Sequence, residues 1–137
     1  QTYEHPSQVK TAEFLASKGV DAIIGMHPHV VQPNKYIKTT MDSIPVAYSL
    51  GNVVANMRDR YKDGGIMIHM TIKKVNGKPR IVGFNDIPFW VWKGSNKAVK
   101  GIHGFYIVPE SKKYILPAYE AKKAQLFYDD TRTILNK

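Results

Sequence analysis

The chain of 137 residues contains no cysteine, which excludes disulfide bonds and thiolate metal sites. No apolar run approaches the ~20 residues that a membrane-spanning helix needs. There is no glycine-rich phosphate loop, no nucleophile elbow and no internal repeat, so P-loop, α/β-hydrolase and solenoid classes are excluded. The first residues carry neither an initiator methionine nor a signal peptide. We therefore expect the carboxyl-terminal part of a longer protein, whose targeting segment is absent here.

Acidic residues are also scarce. The sequence has 11 Asp and Glu residues against 20 Lys and Arg residues, which gives a formal net charge of +9. This excess favours polyanionic partners, namely an anionic polymer, phosphate groups, nucleic acid or acidic lipid, although a solvated basic surface fits equally well. Because 43% of the residues are hydrophobic, residues 1–137 can form the core of one domain.

The pattern of apolar residues predicts an α/β fold with one αβ unit, mixed and antiparallel strands and a C-terminal helix. Ser7 is expected to cap a helix that runs to about Lys18 and ends at Gly19. The apolar run at 22–25 then predicts a buried strand. Further strands are predicted at 36–38, 45–50, 66–75, 80–84, 87–93 and 104–109, and a helix from 118 to about 135.

The sequence also predicts one turn between strands and the faces of one strand and one helix. Asn76-Gly77 is a strong hairpin signal of the type I′ kind. The 66–75 strand alternates, so one set of side chains should share a face. That set is Ile66, Ile68, Met70 and Ile72. On the C-terminal helix the predicted amphipathic face consists of Tyr119, Lys122 or Lys123, Leu126, Ile134 and Leu135.

The stretch His27-Pro28-His29 is the strongest candidate for chemistry. It directly follows the 22–25 strand, and sites in open α/β sheets form beyond the carboxyl ends of strands. Proline fixes its own φ and disfavours the helical region for the residue before it, so we expect an extended segment with both imidazoles on one face and Cα atoms roughly 6–7 Å apart. That spacing suits one ligand to each of two adjacent metal ions better than chelation of one ion. Solvated loop histidines remain the alternative, because a zinc site needs three or four ligands.

Two linked motifs carry a family resemblance. Residues 19–33 read Gly-Val-Asp-Ala-Ile-Ile-Gly-Met-His-Pro-His-Val-Val-Gln-Pro, and residues 48–52 read Tyr-Ser-Leu-Gly-Asn. Together with Pro6 and Gln8, they resemble the CapA-type poly-γ-glutamate capsule biosynthesis family, a branch of the calcineurin-like metallophosphoesterase superfamily. The resemblance covers roughly the first 55 residues. One departure is Met26, where the family more often has histidine. Another is the family's H-W-G-x-E-Y motif, which would lie upstream of Gln1.

The resemblance implies part of a metallophosphoesterase-like α/β sandwich, with residues 1–137 as the carboxyl-terminal part of a single domain. It implies divalent ions of the Mn, Zn or Fe type, as many as two, with His27 and His29 as ligands and the other ligands supplied by the missing N-terminal portion. Asn52 is expected to contact a substrate oxygen or to orient a ligand, unless it merely ends a strand. Arg58 is expected to contact an anionic substrate, with simple solvation as the alternative. No catalytic residue is assigned.

The same resemblance implies a bacterial cell-envelope protein that makes or exports poly-γ-glutamate or a similar anionic polymer. It would be extracytoplasmic, anchored in the membrane through a segment absent here, and associated with membrane-bound capsule synthesis machinery. Hydrolase-like activity depends on the metal site, so we expect the chain alone to hydrolyse nothing.

The alternative is a non-enzymatic polyanion-binding module. Trp90 and Trp92, with Lys93, Lys97 and Lys100 nearby, could stack on bases. However, residues 89–92 alternate as in a strand with both faces covered, so we favour a core position for the tryptophans and do not expect nucleic acid as a partner. His69, in the middle of a predicted strand, is not expected to bind a metal.

Overall fold

Two three-stranded sheets form the framework in a computed structural model that describes residues 1–40, 42–95 and 103–136. The elements are α1 (Pro6–Ser17), β1 (Ile23–Ile24), β2 (Asn34–Lys38), β3 (Ser43–Ala47), β4 (Gly64–Val75), β5 (Lys78–Ser95), β6 (His103–Pro109), a 3-10 helix (Glu110–Ile115) and α2 (Ala118–Leu135). The first sheet is mixed, with the order β1-β3-β2, and the second is antiparallel, with the order β4-β5-β6. The α/β class with mixed and antiparallel strands and a C-terminal helix is confirmed.

Helix α1 packs on the first sheet through its small side chains. Ala12 and Ala16 are buried, and Ala12 forms a cluster with Val46 and Tyr48 at and just beyond β3. Ile23 of β1 packs against the same cluster. The predicted αβ unit is thus present, and it places the end of β1 beside the end of β3.

The start of α1 differs from the prediction, because His5 and not Ser7 is the N-cap. His5 Nδ1 accepts a hydrogen bond from Ser7 N at 3.2 Å, and His5 N donates to Gln8 Oε1 at 2.8 Å. These two reciprocal bonds satisfy N–H groups that the first turn of a helix leaves unpaired. Pro6 occupies the first helical position, where its missing N–H costs nothing. Gly19, with φ of 85°, follows the helix end as predicted.

The segment that follows β3 joins the two sheets. Gly51 forms an antiparallel bridge with Gly65 of β4, and Ile66 N donates to Leu50 O at 2.9 Å. Asn52 N donates to the carbonyl of the first β4 residue, also at 2.9 Å. The close approach requires glycine, because a Cβ on Gly65 would lie 2.5 Å from Leu50 O. The strand predicted at 45–50 therefore leaves the first sheet early and continues towards the second.

Strands β4 and β5 form one long hairpin. Asn76 and Gly77 both have positive φ, of 49° and 79°, as the predicted type I′ turn requires. The two strands predicted at 80–84 and 87–93 are one continuous strand, β5, of 18 residues. The prediction was wrong there because β4 supplies partners across the supposed gap, with Asn85 opposite His69 and Asp86 opposite Ile68.

The main core lies between the second sheet and α2. Its buried members are Val31, Ile66, Trp90, Val108, Leu116, Ala124, Phe127, Tyr128 and Ile134. Tyr128 Oη donates to Val108 O at 2.7 Å, which satisfies the hydroxyl inside this core. Burial raises the pKa of Tyr128 to about 12.

The bounds of α2 match the prediction, but its predicted apolar face is partly wrong. Ile134 is buried, whereas Tyr119 is 68% exposed and Leu126 is 50% exposed. The side chains that face the sheet are Ala124, Phe127, Tyr128, Thr131 and Ile134. The small side chain of Ala124 allows the helix to approach the sheet closely. Leu126 is two positions further along the helix and therefore points to the outer side.

Candidate functional site

The carboxyl ends of β1 and β3 lie at the same edge of the first sheet, because these two strands are parallel. The histidine loop, residues 25–30, follows β1 and carries His27 and His29. The segment that follows β3 carries Asn52. This topology brings His29 and Asn52 into contact although they are 23 positions apart in the chain.

Asn52 Oδ1 lies 2.7 Å from His29 Nδ1. The orientation of the amide follows from its other partners, because Nδ2 donates to Lys62 O at 2.7 Å and to His29 O at 3.2 Å. Two carbonyl oxygens require the NH₂ group on that side, so the amide oxygen faces the imidazole. Neutral His29 must then carry its proton on Nδ1, and Nε2 is left with a lone pair for a metal ion or a proton.

Asn52 is 5% exposed, and both ends of its amide are used within the protein. Of the two predicted roles, this geometry favours the orientation of His29 over contact with a substrate oxygen. A simple strand-ending turn is not an adequate description, because the side chain ties the histidine loop to Lys62 in the following loop.

The histidine loop is not extended, so the predicted backbone conformation was wrong. His27 has φ of 103° and His29 has φ of 58°. The chain must reverse here, because Val31 returns to bridge Leu50 directly after the loop. Positive φ costs roughly 1–3 kcal/mol at a non-glycine residue, and such conformations are concentrated at functional sites.

The two imidazoles lie near each other, with ring centroids 6.5 Å apart and ring planes inclined at 45°. His27 and His29 are both exposed, so neither ring is sealed beneath apolar neighbours. This donor pair fits part of a metal site. Within the described ranges no group of three His, Cys, Asp or Glu side chains could hold an ion. His69 is exposed on β4 and belongs to no such group.

Arg58 and Arg60 already have partners. Arg58 Nη1 donates to Val91 O, and its guanidinium lies 5.9 Å from the centre of the Phe105 ring. Arg60 makes a bidentate pair with Asp130, at 2.8 and 2.9 Å. Arg60 is thus engaged by a carboxylate of α2 and does not join Arg58 in binding an anion. Arg58 is exposed and stays a predicted substrate contact.

The tryptophans do not form a stacking platform. Trp90 is 2% exposed, and its Nε1 donates to Asp63 Oδ2 at 2.6 Å. Trp92 packs on Tyr106 with ring centroids 5.4 Å apart. Trp90 has the predicted core position, which excludes base stacking by its ring, whereas Trp92 is half-buried and packs against that core. Lys97 and Lys100 lie outside the described residues.

Asp63 is a half-buried carboxylate in the loop before β4. Burial raises the pKa of Asp63, while the hydrogen bond from Trp90 and the charge of Arg58 oppose this increase. Asp63 O also accepts a hydrogen bond from Val91 N at 2.9 Å. The residue therefore fastens the loop before β4 to strand β5, and its position indicates a structural role.

Sequence reasoning missed Gln32, which is 1% exposed beneath the histidine loop. Its Oε1 accepts from Gln8 Nε2 at 2.9 Å, and its Nε2 donates to Tyr3 O at 2.7 Å. Gln32 thus holds the first residues of the chain and the start of α1 against the histidine loop. The signal was available, because both glutamines belong to the motifs that carried the resemblance.

These features define an α/β protein whose parallel strand ends present an amide-oriented histidine and a second, exposed histidine. Residues 1–57 match the family model described as bacterial capsule synthesis protein PGA_cap. The match contains α1, the whole first sheet and the His29–Asn52 contact, and it confirms the resemblance to the CapA-type family over that part of the chain. Comparisons with curated proteins and with solved structures gave no match. None of the helices in the described ranges is long and apolar enough to cross a membrane.

Proposed function

We propose that this chain is part of a capsule synthesis protein in which His27 and His29 contribute two ligands to a divalent metal site. The role in capsule synthesis is supported by the family match over residues 1–57. The metal role is supported above all by the contact between Asn52 Oδ1 and His29 Nδ1. A histidine that binds a metal almost always donates its other ring N–H to a second group, which fixes the ring and its tautomer.

The donor set limits what the chain can do by itself. Two imidazoles are fewer than the three or four ligands of a zinc site, and the remaining ligands must come from outside the described residues. A divalent ion held there would polarise a phosphoryl or amide-type group and acidify a bound water. His29 would be held in place by Asn52, whereas exposed His27 is free to adjust its ring. We therefore expect weak metal binding and no hydrolysis by this chain alone.

The metal proposal is tested by titrating Mn²⁺ into the protein and recording the imidazole resonances by NMR. Paramagnetic broadening reports the position of the ion even when affinity is low. We expect the signals of His27 and His29 to broaden together, and those of His5 and His69 to keep their width. His29→Ala should abolish the effect at His27, because a single exposed imidazole binds Mn²⁺ poorly. Equal broadening of all the histidines would contradict the proposal.

A capsule role is tested in the bacterium that carries the gene. We expect loss of the coding sequence to lower the amount of cell-bound anionic polymer, measured as glutamate released by acid hydrolysis of the capsule fraction. Reintroduction with His29→Ala should fail to restore the polymer, whereas His69→Ala should restore it. Normal polymer in the deletion strain would overturn the capsule role, and full rescue by His29→Ala would overturn only the metal role.

The family match further supports a location at the bacterial cell envelope, outside the cytoplasm and beside membrane-bound capsule machinery. Poly-γ-glutamate or a similar polyanion is the proposed polymer, and the net charge of +9 is compatible with it. Membrane anchoring through a segment outside this chain is part of the same proposal.

A polyanion-binding module without metal is the competing function, and the net charge favours it. The two functions differ in their sensitivity to salt. Counterion release makes polyanion affinity fall steeply with ionic strength, and His27→Ala should not affect it. A metal-centred function should depend on His27 and respond little to salt.

A further inference from the structure

The loop that joins Asn52 to β4 carries an arginine that lies beside a lysine of β5. Arg58 Nη1 donates to Val91 O, and the guanidinium lies 5.9 Å from the centre of the Phe105 ring. Lys93 is the cross-strand partner of Phe105, and its Nζ also lies 5.9 Å from the centre of that ring. The two cations therefore cannot be more than twice this distance apart. Among the described residues, Phe105 is the one aromatic ring that two cations approach in this way.

Neither of these two cations is neutralised by an ion pair. The ion pairs formed within the described ranges include neither Arg58 nor Lys93. Asp63 is close enough to interact with the charge of Arg58, but its Oδ2 accepts a hydrogen bond from Trp90 instead. Two like charges near each other repel, and an anion bound between them would remove this repulsion. The arrangement therefore favours a negatively charged ligand.

Both cations keep hydrogen-bond donors for such a ligand. Arg58 commits one of its five N–H donors to Val91 O, and Lys93 commits one of three to Asn56 Oδ1 at 3.4 Å. Both side chains are exposed. A guanidinium presents a planar fork that matches the two oxygens of a carboxylate, whereas an ammonium acts as a single point of charge. The pair can thus hold one carboxylate at Arg58 and a second at Lys93.

The loop that carries Arg58 is fastened to the candidate metal site. Asn52 Nδ2 lies 3.5 Å from Met57 Sδ and donates to Lys62 O at 2.7 Å. Met57 directly precedes Arg58, and Asn52 is the residue that orients His29. A long anionic ligand bound by the two cations can therefore extend towards the histidine loop.

We propose that Arg58 and Lys93 together bind successive carboxylates of an anionic polymer chain. The choice of a carboxylate polymer rests on the proposed function, whereas the anion site itself does not depend on it. Nucleic acid is the less suitable ligand, because the cations lie over the Phe105 ring and leave that face unable to stack on a base.

The test measures the affinity of the whole chain for a fluorescently labelled oligomer of γ-linked glutamate by fluorescence anisotropy. We expect Lys93→Gln to raise the Kd about tenfold, and the double variant with Arg58→Gln to raise it about a hundredfold, because a charged hydrogen bond contributes about a factor of ten. Arg58→Lys should keep part of the affinity, since it retains the charge but loses the fork. Thermal melts followed by circular dichroism verify that each variant is folded.

The matched control is the double variant Lys10→Gln and Lys122→Gln, which removes the same charge from exposed positions on α1 and α2. We expect it to keep most of the affinity. An equal loss in this control would mean that binding follows net charge, and it would overturn the proposal. Absence of binding by the unaltered chain would overturn it as well.

Two further outcomes separate this site from the other proposals. If single-stranded RNA of equal charge binds more tightly than the oligomer and depends on Arg58 and Lys93, nucleic acid is the ligand and the polymer assignment is wrong. If both variants bind the oligomer normally, the site is wrong, but the capsule and metal roles stand. If the variants lose binding and the deletion strain keeps its polymer, the anion site stands and only the capsule role fails.

Discussion

Gln8 Nε2 donates a hydrogen bond of 2.9 Å to Gln32 Oε1, which joins the first turn of α1 to the segment after the histidine loop. Gln32 Nε2 in turn donates to Tyr3 O, so one buried amide connects three separate stretches of chain. The structural support of the histidine loop therefore comes partly from residues that themselves have no chemical role.

Replacement of Gln32 should destabilise the protein. Gln32→Ala removes the acceptor of Gln8 and the donor to Tyr3 O, and it leaves a cavity at a site that is 1% exposed. We expect a loss of about 2 kcal/mol in the free energy of unfolding, measured by urea titration. Lys122→Ala, at an exposed position on α2, is the control and should change stability by less than about 0.5 kcal/mol. Equal effects would contradict the role given to Gln32.

The histidine tautomers provide a direct test of the site geometry. Neutral His29 should carry its proton on Nδ1, because Asn52 Oδ1 accepts from that nitrogen. Neutral His5 should carry its proton on Nε2, because its Nδ1 accepts from Ser7 N. Long-range proton–nitrogen NMR spectra distinguish these states. Asn52→Ala should remove the preference at His29 and leave His5 unchanged, and the same tautomer at both positions in the unaltered protein would refute the assigned geometry.

Asp63 should make stability depend on pH in a defined direction. Burial raises the pKa of Asp63 above its ordinary value of 3.8, so the folded state holds this proton more tightly than the unfolded chain does. The resulting stabilisation is complete below the unfolded pKa and is lost as the pH rises through the folded pKa. Asp63→Asn cannot titrate, so the stability of the unaltered protein relative to this variant should fall across that window. Denaturant unfolding at successive pH values measures the difference, and a constant difference would contradict the raised pKa.

Two glycines should respond to alanine for different reasons. A Cβ on Gly25 would lie 2.2 Å from Tyr48 O, a backbone atom that cannot move aside easily. We expect Gly25→Ala to cost about 3 kcal/mol or more, and to shift the amide NMR signals of the histidine loop. Gly77→Ala meets no atom within 4 Å, but φ is 79°, so the cost should be about 1–2 kcal/mol and the loop signals should not move. Thermal unfolding gives both values, and a smaller loss for Gly25→Ala than for Gly77→Ala would contradict this account.

Local patterns predicted much of the fold. The Asn76-Gly77 turn, the end of α1 at Gly19 and the bounds of α2 follow from backbone preferences and periodicity, and these are properties of short stretches. The cap of α1 was missed because the imidazole of His5 performs a role that is more common for Ser7. The apolar face of α2 was misjudged because its rotation depends on the sheet against which Phe127 and Tyr128 pack.

The sequence allowed us to name the residues of the candidate site, but it did not allow us to predict their geometry. The family resemblance implied that Asn52 could contact a substrate oxygen or orient a ligand. The parallel pairing of β1 with β3 explains why Asn52 reaches His29. The positive φ values of His27 and His29 could not be read from the sequence, because they arise where Val31 must return to the sheet. The hydrogen bond from Trp90 to Asp63 could not be predicted either, because 27 positions separate the two residues in the chain.

Gly51 forms a β-bridge with Gly65, which lies outside the residues that match the family model. The matched residues and the folding unit therefore have different limits. The family match ends at residue 57, yet Leu50 and Asn52 complete their backbone hydrogen bonds only with β4, which begins at Gly64. A peptide cut at the limit of the recognisable motifs would expose Val31 and leave the carbonyl of Leu50 without its partner. The resemblance to the family lies in the first two-fifths of this molecule, whereas Leu50 and Asn52 obtain backbone hydrogen bonds from a strand outside the matched residues.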